Sequence, residues 1–275
     1  GRPMAMGACF TGVADDINAV YWNPAGLVQL KGGEFTWTYT LNNRDIYNYD
    51  DYLAAGTYDP RIGLAYAIGY INIDDRWVFG YLPDGNPAFK ERKISELIFS
   101  LAKRINGQWS IGGNIRFVNY GLGYDFSPYD KVIDTATFMA VDLSLLFKAT
   151  DRLRFGLLLQ DFNKPEFVIF DWYKNIYLRG IYILNVRPAV SYQVTDSLLV
   201  TASVYDLLGE STDVETRQRF RFGFEQRINN FTLRAGSDRG NITLGCGLKL
   251  AGLEIDYAFL PDMAETHMLG LTYRF

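Results

Sequence analysis

The chain contains a single histidine, and this limits the acid–base chemistry that it can perform. His267 lies close to Asp262 and Glu265 in the sequence, so a Ser-His-acid site would have to be built on this one residue. The sequence has no metal-ligand spacing, no glycine-rich phosphate loop and no Cys-x-x-Cys motif. We therefore expect no metal, no cofactor and no enzymatic activity, with a barrel hydrolase as a remote alternative.

Charged residues form the second candidate site. Tight turns at 229–230 and 251–252 would bring opposite charges face to face on neighbouring strands, which stabilises a sheet. The expected pairs are Glu225–Arg234, Arg221–Asp238 and Lys249–Glu254. Such pairs would either close the interior as a charge ladder, or form a polar path or a binding site for an anionic group.

The elements that carry these charges alternate apolar and polar residues. The alternating segments include 35–41, 62–70, 109–117, 139–147, 220–224, 231–235 and 253–259. Alternation predicts strands with one apolar and one polar face. Most segments run to ten residues or more, which is long for a soluble sheet and fits a membrane strand. Charges on the polar face and aromatic residues on the apolar face favour a transmembrane barrel whose apolar face meets lipid.

Short and long connections alternate along the chain, as they do in outer-membrane barrels. A first count gives thirteen strands, and a single-chain barrel should have an even number. Interpreting 47–57 as a weak strand and 58–61 as a tight turn raises the count to fourteen. We therefore predict an all-β fold: a 14-stranded antiparallel barrel over 33–275, which forms one structural domain together with an N-terminal segment over 1–32.

Both ends of the chain resemble known bacterial barrels. The last strand, HMLGLTYRF, places Leu271, Tyr273 and Phe275 on one face, which resembles the assembly signal of outer-membrane barrels. The N-terminal motif consists of Asp15, Asp16, Asn23, Pro24, Ala25 and Gly26. It resembles the start of the FadL/PorV group, which includes long-chain fatty-acid channels and barrels of type IX secretion. Residues 220–259 look closer to the PorV-like or PorQ-like branch.

The resemblance implies that the N-terminal segment folds as a helical hatch inside the lumen. Irregular backbone at membrane depth is tolerated only inside the protein, and Pro24 can begin a short helix that Asn23 caps. The alternative is a peripheral strap beneath the barrel.

Aromatic residues are dense in the long connections 73–90, 121–136 and 163–180. The candidates are Trp77, Tyr81, Phe126, Tyr129, Phe170 and Trp172. They would bind a partner at the cell surface, form the upper membrane girdle or pack on each other.

The expected location is the bacterial outer membrane, in contact with lipid. A net charge of −4 gives no indication of a nucleic-acid partner. Because no signal peptide is visible, the chain has the appearance of a mature or trimmed form. The resemblance favours a surface interaction or secretion-accessory barrel with a plugged lumen and a secreted or surface protein as partner. The alternative is a FadL-like channel for small hydrophobic compounds, with an apolar pocket beside the hatch and a gap in the wall.

Overall fold

The computed structural model describes residues 1–42, 48–126, 131–210, 215–261 and 265–275. Strands dominate these ranges. They are β1 (Glu34–Asn42), β2 (Asn48–Asp59), β3 (Leu64–Tyr81), β4 (Pro87–Arg104), β5 (Trp109–Asp125), β6 (Lys131–Lys148), β7 (Leu153–Gln160), β8 (Glu166–Asp171), β9 (Ile176–Ile181), β10 (Asn185–Gln193), β11 (Leu198–Val204), β12 (Phe220–Ile228), β13 (Phe231–Asp238), β14 (Asn241–Leu250), β15 (Leu253–Leu260) and β16 (Thr266–Arg274).

The helices are short. They are α1 (Arg2–Ala5), α2 (Ala19–Trp22) and two 3₁₀ helices, Pro24–Gln29 and Thr216–Arg219. Within the described ranges, no helix has the length and apolar character needed to cross a membrane.

Fourteen strands close into an antiparallel barrel, and β8 with β9 forms a separate hairpin. Closure is made by β1 against β16, where the backbone groups of Gly33 and Phe275 also bond to each other at 2.9 Å in both directions. The predicted all-β, 14-stranded antiparallel barrel is therefore confirmed. The weak strand that corrected the count corresponds to β2, and its turn to the residues after Asp59.

The apolar residues of each strand face outward. On β12, Phe220, Phe222 and Phe224 are 49%, 56% and 39% exposed, whereas Arg221 and Glu225, which point to the opposite face, are buried. A soluble sheet would bury the aromatic face instead. This inverted arrangement is the one that a barrel in lipid requires.

Strands β3 to β6 extend well beyond the others, and this corrects the expectation of loops at 73–90 and 121–136. A row of small polar residues crosses these four strands in register: Asn72, Ser95, Asn119 and Thr137. Beyond this row the strands are joined by ion pairs, such as Lys93–Asp74 at 3.1 Å and Arg76–Asp125 at 2.8 Å. The ladder continues there because cross-strand charge pairs replace apolar contacts.

The hairpin β8–β9 covers the inner face of this extension. Phe167 stacks on Phe138 with ring centroids 5.1 Å apart, and the Tyr124 hydroxyl donates to Asp171 at 3.0 Å. The expected loop 163–180 is therefore largely a second small sheet, held to the barrel by aromatic packing.

The first thirty residues are almost entirely buried. Their backbone bonds to buried side chains of distant strands: Gly7 N–H donates to Thr243 on β14 at 2.9 Å, and Ser191 on β10 donates to the Gly12 carbonyl at 2.8 Å. One segment therefore contacts strands on several sides of the barrel.

Candidate functional site

Arg2 joins the two acidic residues of the N-terminal motif to the barrel wall. Its guanidinium lies 2.6 Å from Asp15 and 2.7 Å from Asp16, and its Nε lies 2.7 Å from Glu225 on β12. The side chain is buried, so these charge-assisted bonds are formed where water competes little. Asp16 also accepts from the backbone and side chain of Asn18, both at 2.8 Å, and this turn leads into α2.

The Asn-Pro-Ala-Gly motif forms the second anchor. The Asn23 side chain caps the 3₁₀ helix that begins at Pro24, accepting from Ala25 N–H at 3.2 Å, as its sequence position predicts. Ser144 on β6 accepts from the same N–H at 2.9 Å, and Ser110 on β5 donates to the Ala25 carbonyl at 2.9 Å. Glycine is required at position 26, because the Cβ of any other residue would lie 2.2 Å from the carbonyl oxygen of Ala14.

Glycines in the wall allow the N-terminal backbone to lie directly against the strands. An added Cβ would lie 2.4 Å from Ala25 N at Gly112, 2.2 Å from the Thr11 carbonyl at Gly156 and 2.3 Å from Gly7 N at Gly236. Gly223 and Gly245 meet Met6 and Ala5 in the same way. The sequence analysis missed these residues, although glycine on the polar face of a strand is a signal of close backbone approach.

An apolar cavity of about 260 Å³ separates part of the N-terminal segment from β1 to β4 and β16. Its lining includes Met4, Tyr21, Trp22, Tyr52, Ile71 and Met268. The acidic residues of the lining already have partners: Glu96 bonds to Arg116 at 2.8 Å and Asp51 accepts from Trp37 at 3.1 Å. The cavity therefore offers an apolar surface with few free polar groups.

The three charge pairs have different outcomes. Glu225 lies opposite Arg234 with an ion pair of 2.8 Å, and Arg221 lies 2.6 Å from Asp238. Lys249 stands opposite Glu254 in the ladder, but Glu254 bonds instead to Arg234 at 3.2 Å and Arg274 at 2.7 Å. The register of this third pair is as expected, but its ion pair does not form, because the planar guanidinium fork matches a carboxylate better than a flexible, hydrated ammonium does.

The outer-loop candidates do not form one cluster. Trp77 lies with Lys90, its ring centroid 6.0 Å from the ammonium, and Tyr81 is exposed at the end of β3. Phe126 packs on Phe79 at 6.0 Å. Phe170 and the exposed Trp172 lie on or beside the hairpin, with ring centroids 5.0 Å apart. Tyr129 lies outside the described residues.

The terminal residues and the histidine lie on the outside of the barrel. Tyr273 and Phe275 are exposed and stack on each other at 5.9 Å, on the same face as Leu271; their role in assembly stays a prediction. His267 lies 2.7 Å from the Tyr257 hydroxyl and stacks on Phe259. Asp262 lies outside the described residues. These contacts give the hydrolase hypothesis no support.

The two cysteines are free, and no group of metal-ligating side chains is found within the described part of the chain. Cys9 is buried against the wall, with its sulfur 3.4 Å from the Thr201 hydroxyl, whereas Cys246 is exposed on the apolar face.

No protein-family model matches the chain, and no curated protein is similar to it in sequence. Solved structures do match. The CymD monoaromatic hydrocarbon channel has a TM-score of 0.66 and 14% identity, covering 99% of this chain and 96% of that one. The toluene transporter TodX of Pseudomonas putida has a TM-score of 0.66 and 11% identity, covering 98% and 95%. A FadL homologue of Pseudomonas aeruginosa has a TM-score of 0.64 and 12% identity, covering 98% and 96%.

At these identities the likeness shows a shared fold. The chain therefore shares the fold of these channels, a closed antiparallel β-barrel. None of these three proteins is described as a secretion barrel, so the PorV-like branch stays a prediction.

Proposed function

We propose that the chain is a channel of the bacterial outer membrane for small hydrophobic compounds. The observation that carries this proposal is the apolar cavity beside Trp22 and Tyr52, whose volume is about 260 Å³. A dry apolar cavity of about 150 Å³ holds benzene, so this one has room for a single substituted aromatic ring. The solved structures of similar fold, which are hydrocarbon channels by name, support the same substrate class.

The outer surface supports a location in lipid. Exposed aromatic and aliphatic side chains cover it on most strands, and a surface of this kind would aggregate in water. The polar row at Asn72, Ser95, Asn119 and Thr137 would mark the upper edge of the lipid-facing zone.

Residues 1–32 act in this proposal as a hatch within the lumen. Three features support it: the buried Arg2 ion pairs, the clamp of Ser110 and Ser144 on Ala25, and the wall glycines that receive the backbone. The helical part of the hatch is limited to three short helices. Passage through the barrel would require part of this segment to move.

The wall has a short seam between β6 and β7, where a lateral exit would be placed. The two strands pair only from Leu143 to Lys148. Above that point the Asn163 side chain accepts from Val141 N–H and donates to the Met139 carbonyl, both at 2.9 Å. A loop side chain therefore seals the wall in place of a strand.

The test is to soak crystals of the protein with 4-bromotoluene and to locate the bromine by anomalous diffraction. We expect a single strong peak beside Trp22 and Tyr52. Uptake of toluene by proteoliposomes should fall in Trp22→Ala and stay unchanged in Trp109→Ala, a matched variant on the outward face. Bromine found only on the lipid face, together with unchanged uptake in Trp22→Ala, would refute the channel.

A second candidate function has one specific observation in its favour. The hairpin β8–β9 exposes Trp172 and Tyr177 at 52% and 76%, and exposed aromatic residues of this kind are typical of protein interfaces. A secreted or surface protein bound to this hairpin would agree with the hypothesis of a PorV-like interaction barrel. Cross-linking through a photoreactive residue at position 177 would test it: only a specific, saturable adduct supports a partner.

A further inference from the structure

A second, polar cavity opens at the end of the barrel where the connections are short. Its volume is about 530 Å³, and it lies beside the turns 229–230 and 251–252. It shares no lining residue with the apolar cavity. Its lining carries seven cationic and four anionic side chains, although the whole chain has a net charge of −4. The lining itself therefore carries three more cations than anions, while two further carboxylates behind it, Asp16 and Asp256, pair with its Arg2 and Arg234.

The four carboxylates of the lining are already bound by arginines. Glu225 has ion pairs with Arg2, Arg227 and Arg234 at 2.7, 2.9 and 2.8 Å. Glu254 bonds to Arg234 and Arg274, Glu34 to Arg274 at 2.9 Å, and Asp15 to Arg2 at 2.6 Å. These pairs fix four of the seven cations in place and neutralise every carboxylate of the cavity.

Three cations of the lining remain without an ion-pair partner in the described ranges. Lys31, Arg154 and Lys249 line the same cavity and form no ion pair with any residue in the described ranges. Lys249 stands opposite Glu254, whose two oxygens are taken by arginines. Cations that line a recess with low-dielectric walls focus their field, which raises the local concentration of anions.

We propose that this cavity is a binding site for a small oxyanion, a carboxylate or phosphate group, held by Lys31, Arg154 and Lys249. Asn230 and Thr232 add neutral hydrogen-bonding groups to the same lining, whereas Leu199 is its one aliphatic residue. A hydrocarbon would gain little there, and an oxyanion would gain charge-assisted hydrogen bonds. The site is independent of the proposed hydrocarbon channel.

The test is isothermal titration calorimetry of the intact barrel in a neutral detergent, at constant ionic strength set with chloride. The probes are inorganic phosphate and succinate, and the neutral amide succinamide serves as the reference solute. We expect saturable binding of at least one oxyanion and none of succinamide. The stronger of the two probes identifies whether phosphate or carboxylate is preferred.

Two double variants make the test specific. Lys31→Gln/Lys249→Gln should weaken oxyanion binding about tenfold, which is the size of one lost charge-assisted bond. The matched control is Arg61→Gln/Lys103→Gln, which removes two exposed charges at the same end of the barrel but outside this cavity. Its affinity should equal that of the parent. Arg154→Gln should weaken binding independently.

The proposal is overturned if neither oxyanion binds saturably, or if the control variant loses as much affinity as the cavity variant. Binding of 4-bromotoluene beside Trp22 should be the same in all these variants. A failure of the oxyanion site is therefore distinguishable from a failure of the channel.

Discussion

Replacing Arg2 by methionine should release the N-terminal segment from the wall. The guanidinium makes four charge-assisted bonds: to Glu225 at 2.7 and 3.0 Å, to Asp15 at 2.6 Å and to Asp16 at 2.7 Å. Breaking a buried ion pair costs about 3–5 kcal/mol. Glu225 keeps Arg227 and Arg234, so we take the lower value of about 3 kcal/mol, which is roughly a hundredfold change in the population of the displaced segment.

Cys9 provides the assay. Its thiol is fully buried between the segment and β11, so a maleimide can reach it only when the segment leaves the wall. In a Cys246→Ser background, the labelling rate of Cys9 should rise roughly a hundredfold in Arg2→Met. Arg61→Gln, which removes an exposed ion pair with Asp59, is the control and should leave the rate unchanged.

A labelling rate in Arg2→Met equal to that of the parent would refute the reasoning, because the ion pairs would then not hold the segment. A second result would also contradict it. Arg2 and Glu225 are direct partners, so Glu225→Gln should add little to Arg2→Met in the double variant. Full additivity of the two effects would show that they act separately.

Three further predictions concern the wall. Gly156→Val should accelerate Cys9 labelling more than tenfold, since its Cβ would meet the Thr11 carbonyl at 2.2 Å and overpacking costs about 1–3 kcal/mol; Gly107→Ala, with nothing within 4 Å, is the control and should have no effect. Ser144→Ala removes the bond to Ala25 N–H and should accelerate the same labelling about fivefold, for a loss of about 1 kcal/mol; no change would show that the clamp is dispensable. Asn163→Ala leaves Val141 N–H without its acceptor, so hydrogen exchange at that amide should become about tenfold faster, and an unchanged rate would mean that another group seals the seam.

Lys249 and Glu254 in the polar cavity are cross-strand neighbours that do not form an ion pair. The ladder predicted Lys249 opposite Glu254, and the register is as predicted. The strand register determines which residues are neighbours, but it does not determine which of the neighbouring cations forms an ion pair with a carboxylate. Two arginines reach Glu254 on β15: Arg274 from the adjacent strand β16, and Arg234 from β13, on the far side of β14.

The extension of β3 to β6 marks a different limit of the sequence. The sequence pattern predicts long connections between strands at 73–90 and 121–136. The strands continue because Asp74, Arg76 and Glu91 meet partners on neighbouring strands. A charged segment is compatible with a strand when each charge has a partner on the neighbouring strand, and the sequence alone does not identify that partner.

The sequence by itself determined the strand periodicity, the number of strands, the outward direction of the aromatic residues and the cap of Pro24 by Asn23. These are local properties, set by alternation, turn spacing and side-chain chemistry within a few residues. Only the tertiary structure decided that Arg2 meets Glu225, that wall glycines receive the N-terminal backbone, and that an apolar and a cationic cavity lie apart. Each of these depends on residues far apart in the chain, whose proximity is fixed by closure of the barrel and not by any local preference.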